Sequence, residues 1–218
     1  MGEHPISGLI IEALRRQLDA SGHWMAWNLV LAIAPWVLAV VLFRRSRRPG
    51  LAWLCGLGGF LLLLPNAAYV LTDVIHLPSA VRREPSDATV LLVVFPLYAA
   101  FWALGFVAYS DSLRRLSSYA VGRGWVADRR AIDLAVHAVC AMAIYLGRIH
   151  RLNSWDVVLQ PPALLNGLLA GFTRPLAGVG IATMFVALTV GHLVTRPVLQ
   201  AVNATRWTGR DGRPTSHA

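Results

Sequence analysis

Long apolar segments separated by short polar connections dominate this chain. A helix needs about 20 apolar residues to cross the hydrocarbon layer of a membrane. The pattern predicts five such spans, at Trp24–Phe43, Leu51–Leu71, Ala88–Tyr109, Ile132–Leu146 and Leu176–Thr195. The fourth is short and contains Asp133 and His137, and we expect its helix to continue through Arg148. The fold class that follows is all-α: a polytopic membrane helix bundle with about five transmembrane helices.

Two shorter segments have the spacing of amphipathic helices that lie in a membrane interface. Pro5–Ala20 places apolar residues opposite Glu12 and two arginines. Pro162–Phe172 is introduced by the pair Pro161–Pro162 and broken by Gly171. We therefore expect an amphipathic N-terminal segment over residues 1–23, a transmembrane helical domain over 24–196 and a flexible basic tail over 197–218.

Composition agrees with a membrane protein and argues against a nucleic-acid-binding one. Hydrophobic residues make up 56% of the 218 residues and charged residues only 14%, whereas soluble domains carry roughly 25% charged residues. The net charge is +9 and all 20 basic residues are arginine. Because these arginines lie in the connections between apolar spans, membrane lipid is the predicted partner and nucleic acid is not. The residues do not indicate a protein partner.

The arginines also predict an orientation. The connections after spans one and three and the C-terminal tail lie on one side and carry 13 of the 20 arginines. Positive residues favour the cytoplasmic side, so we expect a multi-pass protein of the bacterial cytoplasmic (inner) membrane with its N-terminus outside and its C-terminus in the cytoplasm.

Two polar stretches fall on the predicted outer side. Asn66, Tyr69, Asp73 and His76 step by three, four and three residues at the end of span two, which predicts one polar stripe on a helix. The second stretch runs from Tyr145 to Asp156 at the end of span four. Its residues Tyr145, Arg148, Leu152, Trp155 and Asp156 share one face of the helix if the helix continues that far. Polar groups in or near hydrocarbon are costly unless they have partners, so we expect the two stretches to meet each other or a wet cavity.

The residue types in these stretches leave several roles open. Asp73 and His76 have the i, i+3 spacing of an acid–base pair or of two ligands to a divalent metal, although one such pair does not complete a ligand set. The alternative is an interfacial Asp capping a helix end beside an exposed His. Arg148 and Arg151 suit either a lipid phosphate or ion pairs with neighbouring carboxylates. His137 is expected to be a helix–helix hydrogen-bond partner, and His192 an interfacial residue.

These same residues resemble domain-of-unknown-function family 1361, a family of bacterial integral membrane proteins. The likeness rests on Trp27-Asn28-Leu29, on Pro65-Asn66-Ala67 with Tyr69, on Thr72-Asp73 with His76-Leu77, and on Tyr145-Leu146-Gly147-Arg148 followed by Arg151 and Asn153-Ser154-Trp155-Asp156. Asp87 resembles the acid that the family has before span three, whereas Ala68 stands where it usually has a second Pro. The resemblance implies the membrane fold and a shared polar site, and it implies no activity.

The functional hypothesis is an outward-facing polar pocket that binds or processes an anionic lipid or lipid-linked substrate. Asp73, His76 and Asp156 are the candidate catalytic residues, and Asp73 and His76 are also the candidate metal ligands. The candidate binding residues are Arg148, Arg151, Asn66, Asn153, Tyr69, Asn28 and Asp87. The alternative is a non-enzymatic scaffold or assembly subunit whose buried charges are structural ion pairs, so the sequence does not decide whether the protein is an enzyme.

Overall fold

The computed structural model describes residues 5–44, 49–152, 156–173 and 175–208, and the regular secondary structure in these ranges is helical. Five long helices account for most of it: α2 (His23–Leu42), α3 (Leu51–Tyr69), α6 (Phe95–Gly122), α7 (Arg129–Ile149) and α10 (Pro175–Thr208). With the helical segments that continue them, these five are long and apolar enough to cross a membrane. The predicted all-α bundle with five membrane-spanning helices is confirmed.

Shorter helices lie before and between the long ones: α1 (Pro5–Gln17), α4 (Leu77–Arg82), α5 (Asp87–Thr89), α8 (Asp156–Leu159) and α9 (Pro161–Thr173). Helices therefore form over both segments that were predicted to be amphipathic, as α1 and α9. However, α1 is not a separate element, because a π-helical turn at Leu18–Gly22 joins it to α2 in one helical run. A 3₁₀ segment, Val70–His76, similarly continues α3.

Helix α6 lies at the centre of the bundle and contacts α2, α3, α7 and α10. Its aromatic side chains fill the middle of the core, where Tyr98 and Tyr109 are fully buried. Large apolar side chains from α3, α6, α7 and α10 are buried with them, among them Phe60, Leu64, Leu113, Ile144 and Leu188. This arrangement leaves the outward faces of the outer helices apolar, as a lipid environment requires.

Helix α7 shows how the apolar pattern sets the packing. Asp133, His137, Cys140 and Ile144 recur at helical spacing and are all buried. Val139 on the other face is 64% exposed. The polar residues Asp133 and His137 thus face the bundle together with apolar ones, while the outward face is apolar, because a polar group in hydrocarbon without a partner costs several kcal/mol.

The C-terminal boundary differs from the prediction. The expected tail begins at Pro197, but α10 continues through this proline to Thr208. Proline removes one backbone hydrogen bond, and membrane-protein helices tolerate it where neighbouring groups compensate. Residues 209–218 lie outside the described ranges.

Candidate functional site

Asp73 is the centre of a polar cluster formed by α2, α3 with its 3₁₀ extension, and α7. Its side chain is 2% exposed. Nη2 of Arg148 donates to Oδ1 at 2.5 Å, and Nδ2 of Asn28 donates to Oδ2 at 2.8 Å. Both carboxylate oxygens are therefore bonded to other helices, and one residue joins three elements.

Arg148 makes further contacts on the same side. Its Nε and Nη2 atoms donate to Oγ1 of Thr72 at 2.8 and 2.6 Å, and its guanidinium carbon lies 4.1 Å from the centre of the Tyr69 ring. The Arg148 side chain remains 26% exposed. We call Asn28, Tyr69, Thr72, Asp73 and Arg148 the Asp73–Arg148 cluster.

The 3₁₀ segment explains how this geometry differs from a single polar stripe. Three residues complete a turn of 3₁₀ helix, so residues three apart lie directly above one another. Tyr69 and Thr72 consequently both contact Arg148 on α7, while Asp73 also reaches α2. Thr72 was not among the predicted site residues because its position follows from the 3₁₀ geometry, which an α-helical projection of the sequence does not give.

His76 also contacts α2, but it lies against Trp24, whereas Asp73 is bonded to Asn28. Its ring centre lies 4.5 Å from that of Trp24, with the planes inclined by 37°. Trp24 and Asn28 are one turn apart on α2 and lie against His76 and Asp73 respectively. Since the oxygens of Asp73 are bonded to Asn28 and Arg148, the described contacts do not join Asp73 to His76.

The second polar stretch does not continue as a helix. Helix α7 ends at Ile149, and Arg151 has a φ of 56°, in the left-handed region. The chain then turns back, and the backbone N–H of Leu152 donates a hydrogen bond to the carbonyl oxygen of Leu146, with 3.4 Å between N and O. The shared face predicted from Tyr145 to Asp156 depended on an uninterrupted helix, and the left-handed residue ends that helix before it reaches Asp156.

The other predicted site residues are not members of the Asp73–Arg148 cluster. Arg151 is exposed, and Asp156 is buried at the start of α8, where its side chain accepts a hydrogen bond of 3.4 Å from Gln160. Asn66 is half-buried one turn before Tyr69, whereas Asp87 is exposed at the start of α5. The predicted residue Asn153 lies outside the described residues, as do Ser154 and Trp155.

A second polar group lies inside the bundle between α6, α7 and α10. The hydroxyl of Tyr109 and Nδ1 of His137 are 2.7 Å apart, which agrees with the prediction that His137 is a helix–helix hydrogen-bond partner. His192 is only 3% exposed, and its Nε2 lies 3.7 Å from Oδ2 of Asp133. Helix α10 thus turns His192 toward α7, inside the bundle, and its predicted position at the level of the membrane interface stays a prediction.

Among the described residues, no three His, Cys, Asp or Glu side chains come together as a metal-binding group. His137, His192 and Asp133 lie near one another between α6, α7 and α10 but do not form such a group. The Asp73–Arg148 cluster contains one carboxylate opposite an arginine. In the described part of the chain, the cluster thus has the composition of an ion-pair and hydrogen-bond network.

A third polar contact ties the N-terminal helix to the bundle. Nε2 of Gln17 donates to Oε1 of Glu84 at 2.7 Å, and Nη2 of Arg16 donates to Oε2 at 3.1 Å. Burial alone would raise the pKa of Glu84, but the hydrogen bonds from Gln17, Arg16 and Thr89 and the charge of Arg16 hold the pKa below its ordinary value. Glu84 thus favours its ionised form in the folded protein.

Comparison with known proteins assigns a family to this arrangement and no activity. A family model described as "Protein of unknown function (DUF1361)" matches residues 27–190. The match includes Asn28, Thr72, Asp73 and Arg148. No curated protein and no solved structure matches the chain.

Proposed function

Because the chain belongs to this family of unknown function and has five helices suited to crossing a membrane, we propose a function from the geometry of the Asp73–Arg148 cluster. The cluster binds the phosphate-bearing head group of an anionic lipid or lipid-linked substrate. Arg148 and Arg151 contact the phosphate. The cluster lies on the outer side of a bacterial cytoplasmic membrane, as the arginine distribution predicts.

The observation that carries this proposal is that the guanidinium group of Arg148 is held in place and still partly exposed. Asp73 and Thr72 hold its guanidinium from the bundle side, while about a quarter of the side chain stays exposed. An arginine that is already positioned before the ligand arrives lowers the entropic cost of binding. Arg151 is exposed three residues later, and a guanidinium group suits a phosphate because it donates two parallel hydrogen bonds.

The same geometry supports binding more strongly than catalysis. An acid–base pair of Asp73 and His76 would need the two side chains within hydrogen-bond reach of each other or of a common substrate atom. The carboxylate of Asp73 is instead bonded to Arg148 and Asn28, and the ring of His76 lies against Trp24. We therefore assign Asp73 the role of positioning Arg148, and propose no reaction.

The test compares two arginines on the same side of the protein. Arg151→Gln removes a proposed phosphate contact without touching the buried ion pair, and Arg82→Gln removes an exposed charge from α4 as the matched control. Protein purified in a nonionic detergent is titrated with short-chain phosphatidylglycerol. We expect Arg151→Gln to weaken binding about tenfold, the loss of one hydrogen bond to a charged group, and Arg82→Gln to leave it nearly unchanged. Equal affinities in the two variants would remove the proposal.

A scaffold role is the second candidate, and the internal bonding of Asp73 favours it. If the pair is purely structural, Asp73→Ala lowers the thermal stability of the detergent-solubilised protein because it leaves Arg148 without its partner. Asp73→Ala/Arg148→Ala then recovers part of the loss. Phosphatidylglycerol binding that is the same in wild type and Arg151→Gln, together with this recovery, would favour the scaffold.

A further inference from the structure

The opposite end of the bundle contains a pocket rich in arginine. It has a volume of about 610 Å³, within the range of small-molecule sites. Arginines from α6, α7 and the turn between them line it, and none of the lining residues is acidic: the lining consists of Phe43, Arg114, Arg115, Ser118, Tyr119, Val121, Gly122, Arg123 and Arg129. We call this space the arginine pocket.

A buried carboxylate holds two of these arginines in place. Asp111 is 5% exposed, and its Oδ1 accepts from Nε of Arg114 at 2.9 Å. Its Oδ2 accepts from Nε of Arg115 at 2.7 Å and from the indole N–H of Trp36 at 2.9 Å. One carboxylate thus neutralises one of the two positive charges and orients both guanidinium groups.

Aromatic packing fixes the apolar side of the pocket. Tyr119 stacks on Trp53 with ring centres 5.7 Å apart, and Phe43 lies 5.6 Å from Tyr119. The guanidinium carbon of Arg123 lies 5.1 Å from the centre of the Tyr119 ring. The lining therefore combines positive charge with an aromatic surface.

The turn between α6 and α7 is equally well defined. Gly124 has a φ of 71°, and the N–H of Trp125 donates to the carbonyl of Ala120 at 3.0 Å, a glycine-terminated helix end. The side chain of Asp128 caps α7 by accepting from the N–H of Arg130 at 3.0 Å. These bonds set where Arg123 and Arg129 leave the backbone.

We infer that the arginine pocket binds a phosphate-bearing anion. Four arginines line it. In the described part of the chain, Asp111 is bonded to Arg114 and Arg115, and Asp128, the residue before Arg129, is bonded to the backbone of α7. The lining residues thus carry positive charge and no negative charge around a half-open cavity, which favours an anion. Phosphate is the best match because guanidinium groups bind its oxygens in pairs. Basic pockets between membrane helices commonly hold lipid head groups in this way.

This inference is independent of the Asp73–Arg148 cluster, since the two sites share no residue and lie at opposite ends of the helices. The arginine pocket lies at the C-terminal ends of α2 and α6, whereas Asp73 and Arg148 lie near the C-terminal ends of α3 and α7. A soluble phosphorylated molecule and a lipid head group offer the same chemistry here, so the experiment separates them.

The pocket variant is Arg123→Gln/Arg129→Gln. Arg114 and Arg115 are kept because their removal would strand the buried carboxylate of Asp111. The matched control is Arg44→Gln/Arg130→Gln, which removes two exposed arginines at the same end that do not line the pocket. All proteins also carry Arg151→Gln, so that binding at the Asp73–Arg148 cluster does not mask the result.

Each protein, in a nonionic detergent at one fixed ionic strength, is titrated calorimetrically with short-chain phosphatidylglycerol and separately with inorganic pyrophosphate. We expect the pocket variant to bind at least about tenfold more weakly and the control to stay within about twofold, since screened surface charges contribute little. This pattern with phosphatidylglycerol identifies a lipid site, and with pyrophosphate alone a site for a soluble phosphate. Equal weakening in both double variants, unchanged binding in the pocket variant, or no binding of either probe would overturn the inference.

Discussion

Glu84 connects the N-terminal helix to the loop before α5 through one carboxylate. Its side chain has no exposed surface, and its partners Arg16 and Gln17 lie at the end of α1. Gln17 also donates to the carbonyl of Ala80 at 3.1 Å. This contact is one of the described links that hold α1 against the segment following the Asp73–Arg148 cluster, so its strength bears on the rigidity of that end of the bundle.

The lowered pKa of Glu84 gives this contact a defined pH dependence. A carboxyl whose pKa is lower in the folded than in the unfolded protein stabilises the fold above its unfolded pKa of about 4.3, and the contribution is lost as the pH falls through the folded value. Glu84→Gln should therefore lower the free energy of unfolding by about 1–3 kcal/mol at pH 7. The difference from wild type should shrink as the pH falls below about 4.

Urea denaturation in detergent between pH 3 and pH 7 measures this difference. Glu12→Gln is the control, because Glu12 is exposed and lies 3.5 Å from the same Arg16. An exposed pair of this kind contributes at most about 1 kcal/mol. A Glu84→Gln effect as small as that of Glu12→Gln, or one that persists unchanged at pH 3, would contradict the assignment.

At the scale of elements, the 3₁₀ segment depends on a close approach between helices. Gly105 of α6 has no side chain, and a Cβ atom there would lie 2.8 Å from Cγ1 and 2.9 Å from Cβ of Val70. Val70 is the first residue of the 3₁₀ segment and is 1% exposed. The glycine therefore lets α6 contact the segment that carries Thr72 and Asp73.

Gly105→Ala is expected to push that segment away from α6. Overpacking of this kind costs about 1–3 kcal/mol, and a shift of Asp73 should also weaken phosphatidylglycerol binding at the cluster. Gly58→Ala in α3 is the control, because a Cβ atom there meets nothing within 4 Å and alanine favours helix. Thermal unfolding and lipid titration of both variants check this. If the two alanines have equal effects, the close approach does not position the cluster.

The elements themselves were largely predictable and the local geometry of the site was not. Five apolar segments separated by polar connections predicted the five long helices, because the length and hydropathy of a segment are enough to identify a helix that can cross a membrane. The cost of isolated polar groups near hydrocarbon predicted that the two polar stretches meet each other or a wet cavity. An ion pair between Asp73 and Arg148 was one of the alternatives left open, and the structure contains it. The change to 3₁₀ helix at Val70 and the left-handed Arg151 were not visible, since both depend on contacts made by other helices.

Asp111 illustrates a signal that the sequence did contain. Asp111, Arg114 and Arg115 have the i, i+3 and i, i+4 spacing of helical ion pairs, two residues beyond the predicted end of span three. The predicted span stopped at Tyr109 because the hydropathy falls there, whereas α6 continues to Gly122. Reading the charged residues as a continuation of the helix would have placed two arginines on one carboxylate.

At the scale of the whole molecule, the two proposed sites lie at opposite ends of the bundle, so they would face opposite sides of a membrane. Connections at the end with the arginine pocket carry most of the arginines that predict the cytoplasmic side. The loop before α5, which contains Glu84 and Pro85, lies at the end with the Asp73–Arg148 cluster. Orientation therefore decides whether a lipid of the outer or the inner leaflet reaches each site.

Cysteine labelling in intact bacteria tests this direction. Cys55 and Cys140, both free thiols, are first replaced by Ser and Ala. Pro85→Cys and Ala127→Cys then place single thiols in exposed loops at opposite ends of the bundle. Because the loop with fewer arginines should face outward, a membrane-impermeant maleimide is expected to label position 85 in intact cells and position 127 only after permeabilisation. The reverse pattern would put the arginine pocket outside, and the lipid source assigned to the Asp73–Arg148 cluster would then be the inner leaflet.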